Sequence, residues 1–377
     1  MRKRFHLEVT GKCNLRCRYC YNSAFSTPEQ LDNELTLEEQ LMLISQASTM
    51  GCNKFIWSGG EPFIYDHIFD LIEACPKTSH VSVITNASHL GDSIIERLDS
   101  IEQFKELKIS WDGFSAHDSV RLGSSHQQVY DAIRSARSHA PRLNIIINTM
   151  MSKYSAGEIG RLYGTLKDLG VHHWRIDMPF NSGRCTENAD IMDISFEQIV
   201  LTYRDLLTQY FADGKPMILE VFNVYKSMMG TDAYYDFDSN VHPCAYYDNT
   251  IVMRPNGDLT YCPSLGFPLA NWRDGKDLAE TERLANLHPY HDLLLSDIGA
   301  CLNCRYMKLC GGGCRADAIT WGSRLTGCDP FNCSMMPYIE RHIIPILPPV
   351  EQAMYRYYID PSKNNPRSYV KASDIDV

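Results

Sequence analysis

The sequence predicts an α/β protein: a parallel sheet built from six strand–helix units, followed by a small cysteine-rich domain with a short β-hairpin and helices. Three observations lead there. Strand-like and helix-like segments alternate through roughly the first 210 residues, which implies parallel strands with helices outside. No glycine-rich phosphate loop follows the first strand, which counts against a dinucleotide-binding fold. Eight of the 14 cysteines fall between residues 244 and 333. Six units fall short of the eight of a closed barrel, leaving an incomplete barrel or an open doubly wound sheet. In either, the active site lies beyond the carboxyl ends of the strands.

The elements read in order as follows. Residues 5–10 alternate as a strand does. Thr36-Leu37-Glu38-Glu39 is a helix-capping pattern, and apolar periodicity carries that helix to about residue 50. Residues 54–57 form the second strand, with a helix over 65–74. The third strand is 80–85 with a helix over 91–103; the fourth is 107–111 with a helix over 126–138. Residues 143–150, rich in β-branched side chains, form the clearest strand, followed by a helix over 156–169. The sixth strand is 173–178, and its helix spans 195–211. The expected domains are therefore a barrel over 1–213, a bridging region over 214–243, the cysteine-rich domain over 244–340 and a C-terminal extension over 341–377. The bridge is rich in aromatics (Phe222, Tyr225, Tyr234, Tyr235, Phe237), and the extension turns turn-rich from Asp360.

Composition excludes several classes. The 377 residues are 44% hydrophobic, enough for a large core, and the net charge of −10 argues against nonspecific nucleic-acid binding. The N-terminus is charged and lacks a signal peptide's apolar run. No apolar stretch reaches the roughly 18 residues of a membrane span. The expectation is a cytoplasmic protein with reduced cysteines, no membrane and no nucleic-acid partner. Reduced cysteines in this number need metal ligation or redox chemistry.

The loop after the first strand carries Cys13-x3-Cys17-x2-Cys20. Three thiolates suit a metal or an iron–sulfur cluster, and a cluster normally takes four. A zinc site would close with a fourth protein ligand. With Tyr19 in the aromatic position, this motif after the first strand of a six-unit α/β barrel resembles the radical S-adenosylmethionine (SAM) superfamily. The resemblance implies a partial TIM-like barrel whose three cysteines hold a 4Fe–4S cluster. The open iron chelates SAM, which is cleaved reductively to a 5′-deoxyadenosyl radical. Other residues follow the same order. Ser58-Gly59-Gly60-Glu61-Pro62 resembles the segment that contacts the SAM amino group. Thr85-Asn86 ends the third strand, and Ser110-Trp111-Asp112-Gly113 resembles the segment near the ribose. Gly59, Gly60, Glu61, Pro62, Asn86, Ser110, Asp112 and Tyr19 are thus the expected SAM contacts.

Farther on, Cys244-x17-Cys262 is followed by Cys301-x2-Cys304-x5-Cys310-x3-Cys314, then Cys328 and Cys333. Residues 254–258 (Arg-Pro-Asn-Gly-Asp) read as a hairpin turn. A single C-x2-C among eight cysteines fits a zinc ribbon poorly. The pattern resembles the seven-cysteine SPASM domain, which holds two auxiliary clusters. Carried over, Cys244, Cys262 and Cys314 hold the first, and Cys301, Cys304, Cys310 and Cys333 the second. Cys328 is extra: either a fourth ligand of the first cluster or a bystander.

Two residues near the sixth strand are candidates for chemistry. Cys185 is either a hydrogen-atom donor to a substrate radical or a packed thiol. Asp177 is either a general base, a SAM ligand or a satisfied carboxylate. Cys52 and Cys75 read as packing residues. The expected function is a radical SAM/SPASM oxidoreductase taking a hydrogen atom from a ribosomally made peptide, for example to form a crosslink. The alternatives are a formylglycine maturase of the anaerobic sulfatase type and a dehydrogenase or epimerase of an aminoglycoside-like small molecule. A zinc-binding interaction module is the non-enzyme rival. The resemblance implies flavodoxin or ferredoxin as electron donor. With no room before the first strand for a leader-binding domain, a peptide calls for a separate recognition protein or direct binding.

Overall fold

The computed structural model describes residues 4–221, 224–226, 239–322 and 324–360. Phe222, Tyr234, Tyr235 and Phe237 of the bridge, and residues 361–377, lie outside the described residues. The chain forms two compact units, one of Met1–Asp193 with Cys244–Asp292, the other of Ile194–Pro243 with Leu293–Val377.

In the first unit all six expected strands are present: β1 (Arg4–Thr10), β2 (Lys54–Gly59), β3 (His80–Thr85), β4 (Phe104–Ser110), β5 (Asn144–Met150) and β6 (His173–Asp177). They lie side by side in chain order, each parallel to the next. Helices Leu37–Thr49, Ile68–Ala74, Asp92–Ser100, His126–His139 and Ile159–Asp168 follow β1 to β5. This is the partial, TIM-like α/β barrel. The capping box at Thr36 and Glu39 forms as the sequence indicates. Alternation along β1 sends Phe5, Leu7 and Val9 to the helix side, all fully buried. Each such side chain contributes about 1.5–3 kcal/mol by leaving water. The opposite face of β1 carries His6, Glu8 and Thr10, which are also buried. Cys52 and Cys75 are buried core residues, as expected.

A seventh parallel strand was not foreseen. β7 (Thr250–Met253) pairs with β1 from Arg4↔Thr250 to Leu7↔Met253. The expected hairpin follows: β8 (Asp258–Thr260) returns antiparallel to β7, and β9 (Ala270–Asn271) to β8. Gly257 sits at φ +88° in that turn and donates to the Arg254 carbonyl at 3.0 Å. The pairing with β1 is why the compact units depart from boundaries at 213 and 243: residues 244–292 complete the barrel sheet. Arg254, 4% exposed, locks the junction. Its guanidinium donates to both oxygens of the fully buried Glu8 (3.0 and 2.9 Å) and to the carbonyls of Pro263 and Leu265.

The second unit holds the sixth predicted helix, Phe196–Ala212, and the antiparallel pair Ile218–Val221 and Tyr225–Lys226. Helices Met307–Cys310, Arg315–Thr320, Pro330–Tyr338 and Pro349–Ile359 follow. Phe196 packs edge-on against Phe331, and the Tyr355 hydroxyl donates to the Val224 carbonyl at 3.1 Å. Among the described residues no helix is long and apolar enough to cross a membrane.

Candidate functional site

The cysteine loop leaves β1 at Thr10 and is clamped from three directions. The first clamp is the end of β2. The Gly60 and Glu61 N–H groups donate to the carbonyls of Thr10 (2.7 Å) and Lys12 (2.9 Å). The approach is so close that a Cβ on Gly60 would lie 1.9 Å from the Lys12 oxygen, and one on Gly59 2.2 Å from the Thr10 oxygen. Both glycines are therefore required by the loop's own backbone.

The second clamp comes from beyond β4. Residues Arg16–Cys17 pair antiparallel with Arg121–Leu122, and the Arg18 N–H donates to the Val120 carbonyl at 2.8 Å. The Tyr19 hydroxyl donates to Asp112, and the Arg121 guanidinium, 5.3 Å from the Tyr19 ring centre, donates to the same carboxylate at 2.6 Å. The Met150 N–H completes the set at 2.8 Å. Burial pushes the Asp112 carboxyl up, but the Arg121 charge outweighs it and holds the group below its ordinary value.

The third clamp follows β6. Arg184 donates from Nε to the Cys17 carbonyl (3.0 Å) and from its N–H to the Cys20 carbonyl (3.1 Å). Gly183 has φ +57°, and a Cβ there would meet the Cys20 oxygen at 2.5 Å. Arg18 reaches Asn188 (3.1 Å), Tyr154 (2.9 Å) and Asp190 (2.8 Å). The Tyr154 hydroxyl, then Lys153 and Arg18, hold the Asp190 carboxyl down at about 2.

These clamps gather most of the expected site residues. Cys13, Cys17 and Cys20 share one loop and feel one another's charge, although burial is the main cause that pushes the Cys13 thiol up and takes Cys17 to about 11. Asn86 donates to Asn14 at 3.0 Å and lies 4.0 Å from the Cys13 sulfur. Glu61 is fully buried and accepts from the Thr85 hydroxyl (2.7 Å), the Asn86 N–H (2.7 Å) and the Phe63 N–H (3.1 Å). Its carboxylate ties the ends of β2 and β3 together, and Pro62 opens the short turn that follows it. Ser110 ends β4. Asp177 ends β6, its carboxylate ion-paired with Arg175 at 3.1 Å. Cys185 is 2% exposed in an apolar cluster with Tyr19, Val120 and Ile191, beside Cys17. Burial pushes its thiol up to about 11. Sequence reasoning missed Arg18, Arg121 and Arg184 as loop clamps, because their partners lie as far as 172 residues away.

The remaining cysteines also fall into groups. In the first unit, burial and then the Cys244 charge push the Cys262 thiol up to about 12. Cys314 belongs to the second unit. There Cys310 is pushed up by burial, then Asp329, then Cys333, Cys301 and Cys304, so those four thiols lie within electrostatic reach. Cys328 joins them, packed on the apolar cluster that contains Cys301. All these donors are thiols, the ligand type that suits iron–sulfur clusters. Among the described residues no three His, Cys, Asp or Glu side chains converge tightly enough for a single metal ion. The fit rests on donor chemistry and on the clamped loop. Two cavities, about 70 Å³ beside Gly11, Glu34 and Arg254 and about 370 Å³ beside Phe114, Tyr130 and Arg161, are not lined by cysteine.

Comparison with known proteins bears on this arrangement. Residues 7–166 match the family described as the Radical SAM superfamily. GTP 3′,8-cyclase of Clostridium perfringens is 25% identical over 289 residues, 74% of this chain and 83% of that protein. Streptococcus suis SuiB, solved with its precursor peptide SuiA, superposes with a TM-score of 0.64 at 18% identity, covering 85% of this chain and 73% of SuiB. Native anSMEcpe, solved with bound AdoMet and the Cp18Cys peptide, gives 0.68 at 15% identity, covering 91% of this chain and 96% of the other.

Proposed function

We propose, from the match of residues 7–166 to the Radical SAM superfamily, that this chain is an oxidoreductase that takes a hydrogen atom from a peptide. The loop of Cys13, Cys17 and Cys20 would hold a 4Fe–4S cluster, and the bound pair of cluster and SAM supplies the radical chemistry. The observation that carries the reading is the three-sided clamp, which holds the three thiols beyond the carboxyl end of β1 from the ends of β2, β4 and β6. In this reading Gly59 and Gly60 let the loop backbone close on β2, and Glu61 holds β3 against β2. Asn86, beside Cys13, and Ser110, at the end of β4, would contact SAM. Tyr19, Asp112 and Arg121 fix the loop's far end. Asp177, ion-paired with Arg175, is the candidate proton acceptor. The two further thiol sets are the expected SPASM ligands of two auxiliary clusters, and a flavodoxin or ferredoxin serves as electron donor.

A peptide substrate is supported by the fold shared with two proteins solved with peptides. A second reading, a small-molecule and specifically a nucleotide substrate, is favoured by the GTP 3′,8-cyclase relative, whose identity to this chain is higher. Anaerobic reconstitution tests the shared core. About 12 irons per chain are expected for three 4Fe–4S clusters. Cys13→Ala, Cys17→Ala and Cys20→Ala should each remove about four irons and abolish 5′-deoxyadenosine release. Zinc in place of iron would overturn the reading. Mass shifts in candidate peptides, against turnover of GTP, decide between the two substrates.

A further inference from the structure

Cys328 is the cysteine that the SPASM pattern leaves over, and the second unit gives it a definite place. Asp329 caps helix Pro330–Tyr338, accepting from the Phe331 (2.9 Å) and Asn332 (3.1 Å) N–H groups. Its carboxylate also accepts the Cys314 N–H at 2.9 Å, and the side chain is fully buried. The backbone after Cys328 is therefore fixed, and before it the Gly327 carbonyl accepts from the Arg315 guanidinium at 2.7 Å. Cys328 directly precedes the cap, and Cys333 is the fourth helical residue, its N–H donating to the Asp329 carbonyl at 3.0 Å. Those are the two positions whose side chains meet across a helix entrance, ordinarily as an apolar pair. Here both are thiols, and Cys333 lies within electrostatic reach of Cys328 and Cys301. Cys328 also packs on the cluster of Leu295, Ile298, Cys301 and Met307.

Resting on the auxiliary-cluster reading above, we propose that Cys328 is a fifth thiol of the second auxiliary site and exchanges with Cys333 as its fourth ligand, beside Cys301, Cys304 and Cys310. A cubane cluster takes four thiolates, and the helix entrance carries two thiols where one is needed. The exchange is a ligand substitution with no electron transferred. The Cys328 thiol gives up its proton and forms a bond to iron, the iron bond to Cys333 breaks, and the Cys333 thiolate takes up a proton. The side chains need only rotate, because the entrance already brings them together. Cys333 is exposed and Cys328 half-buried, so the two ligation states differ in how far solvent reaches the cluster.

The test measures iron and acid-labile sulfide in the anaerobically reconstituted full chain: wild type, Cys328→Ala, Cys333→Ala and the double variant. Each single variant should keep the wild-type iron content to within about one atom, and the double variant should lose about four. The reduced Cys333→Ala protein should show a shifted electron paramagnetic resonance signal, and Cys328→Ala an unshifted one. Equal losses in Cys333→Ala and the double variant overturn the proposal, as does a double variant that keeps all its iron. If the double variant does not fold, an unshifted signal in Cys333→Ala overturns it. A wild-type protein holding only about four irons would instead remove the auxiliary-cluster reading itself.

Discussion

Cys13, Cys17 and Cys20 are close in sequence, yet the groups that hold them come from distant segments. Arg121, Arg184 and the glycines at 59, 60 and 183 are as much part of the loop's geometry as the thiols. Gly60→Ala would set a Cβ 1.9 Å from the Lys12 oxygen. Loss of the first cluster's iron is expected, with the secondary structure retained by circular dichroism. The packing of Cys185 argues against hydrogen-atom donation, which needs a thiol open to substrate. At 2% exposure it is a core residue, and Cys185→Ala should cost about 1 kcal/mol of stability. Product formation should stay within about twofold of wild type; a fall of tenfold or more, with iron content and 5′-deoxyadenosine release unchanged, would restore the donor role. His6 gives a pH signature. Its ring bridges Tyr246 (2.7 Å) and Ser58 (2.5 Å), and burial, then the charges of Lys108 and Arg254, hold it down at about 3. The folded state keeps it neutral while the unfolded chain takes up a proton near pH 6.5. Stability from this group is therefore full above pH 6.5 and lost as pH falls toward 3, by about 2 kcal/mol at pH 5. Urea midpoints of the cluster-free chain between pH 7.5 and 5 should fall more steeply for wild type than for His6→Gln.

At the level of elements, the barrel strands were legible because alternation and turn residues mark them locally. The fourth begins at Phe104 and not 107, since the intervening Lys105 and Glu106 masked a strand that carries charges on one face. Glu106 there pairs with His80 and Lys108. β7 was legible as a strand of the hairpin, but its parallel partner was not, because no local signal announces a ladder with β1. The same holds for the loop clamps: Gly59 and Gly60 are expected as SAM contacts, and the structure places the backbone of residues 10–12 against both. The proposed thiol sets rest on spacing and resemblance. What spacing could not give is the neighbourhood of Cys328, which depends on a helix beginning at Pro330. The β1–β7 junction has its own test. Removing one member of the buried Arg254–Glu8 pair leaves the other charge unpaired, so Arg254→Leu should cost about 3–5 kcal/mol. The double variant with Glu8→Leu should recover a large part of that loss in a denaturation cycle. Additive losses would mean that the pair contributes little beyond packing.

On the scale of the whole molecule, the ladder between β1 and β7 governs when the protein can become itself. Arg254 and Glu8 are 246 residues apart. Strand pairing across such a separation is slow to form, because the closing entropy comes before the contact that offsets it. On the ribosome, β1 and the cysteine loop emerge first, at roughly 5–20 residues per second. The strand that closes that edge of the sheet is still roughly 12–48 seconds of elongation away. Until then β1 presents an unpaired apolar edge, the kind of surface that recruits chaperones or other chains. The thiols at 13, 17 and 20 are thus synthesised early but scaffolded late. The last clamp on the loop comes from Arg184, so a ribosome that stalls before residue 184 releases a chain whose three thiols lack one of their three supports.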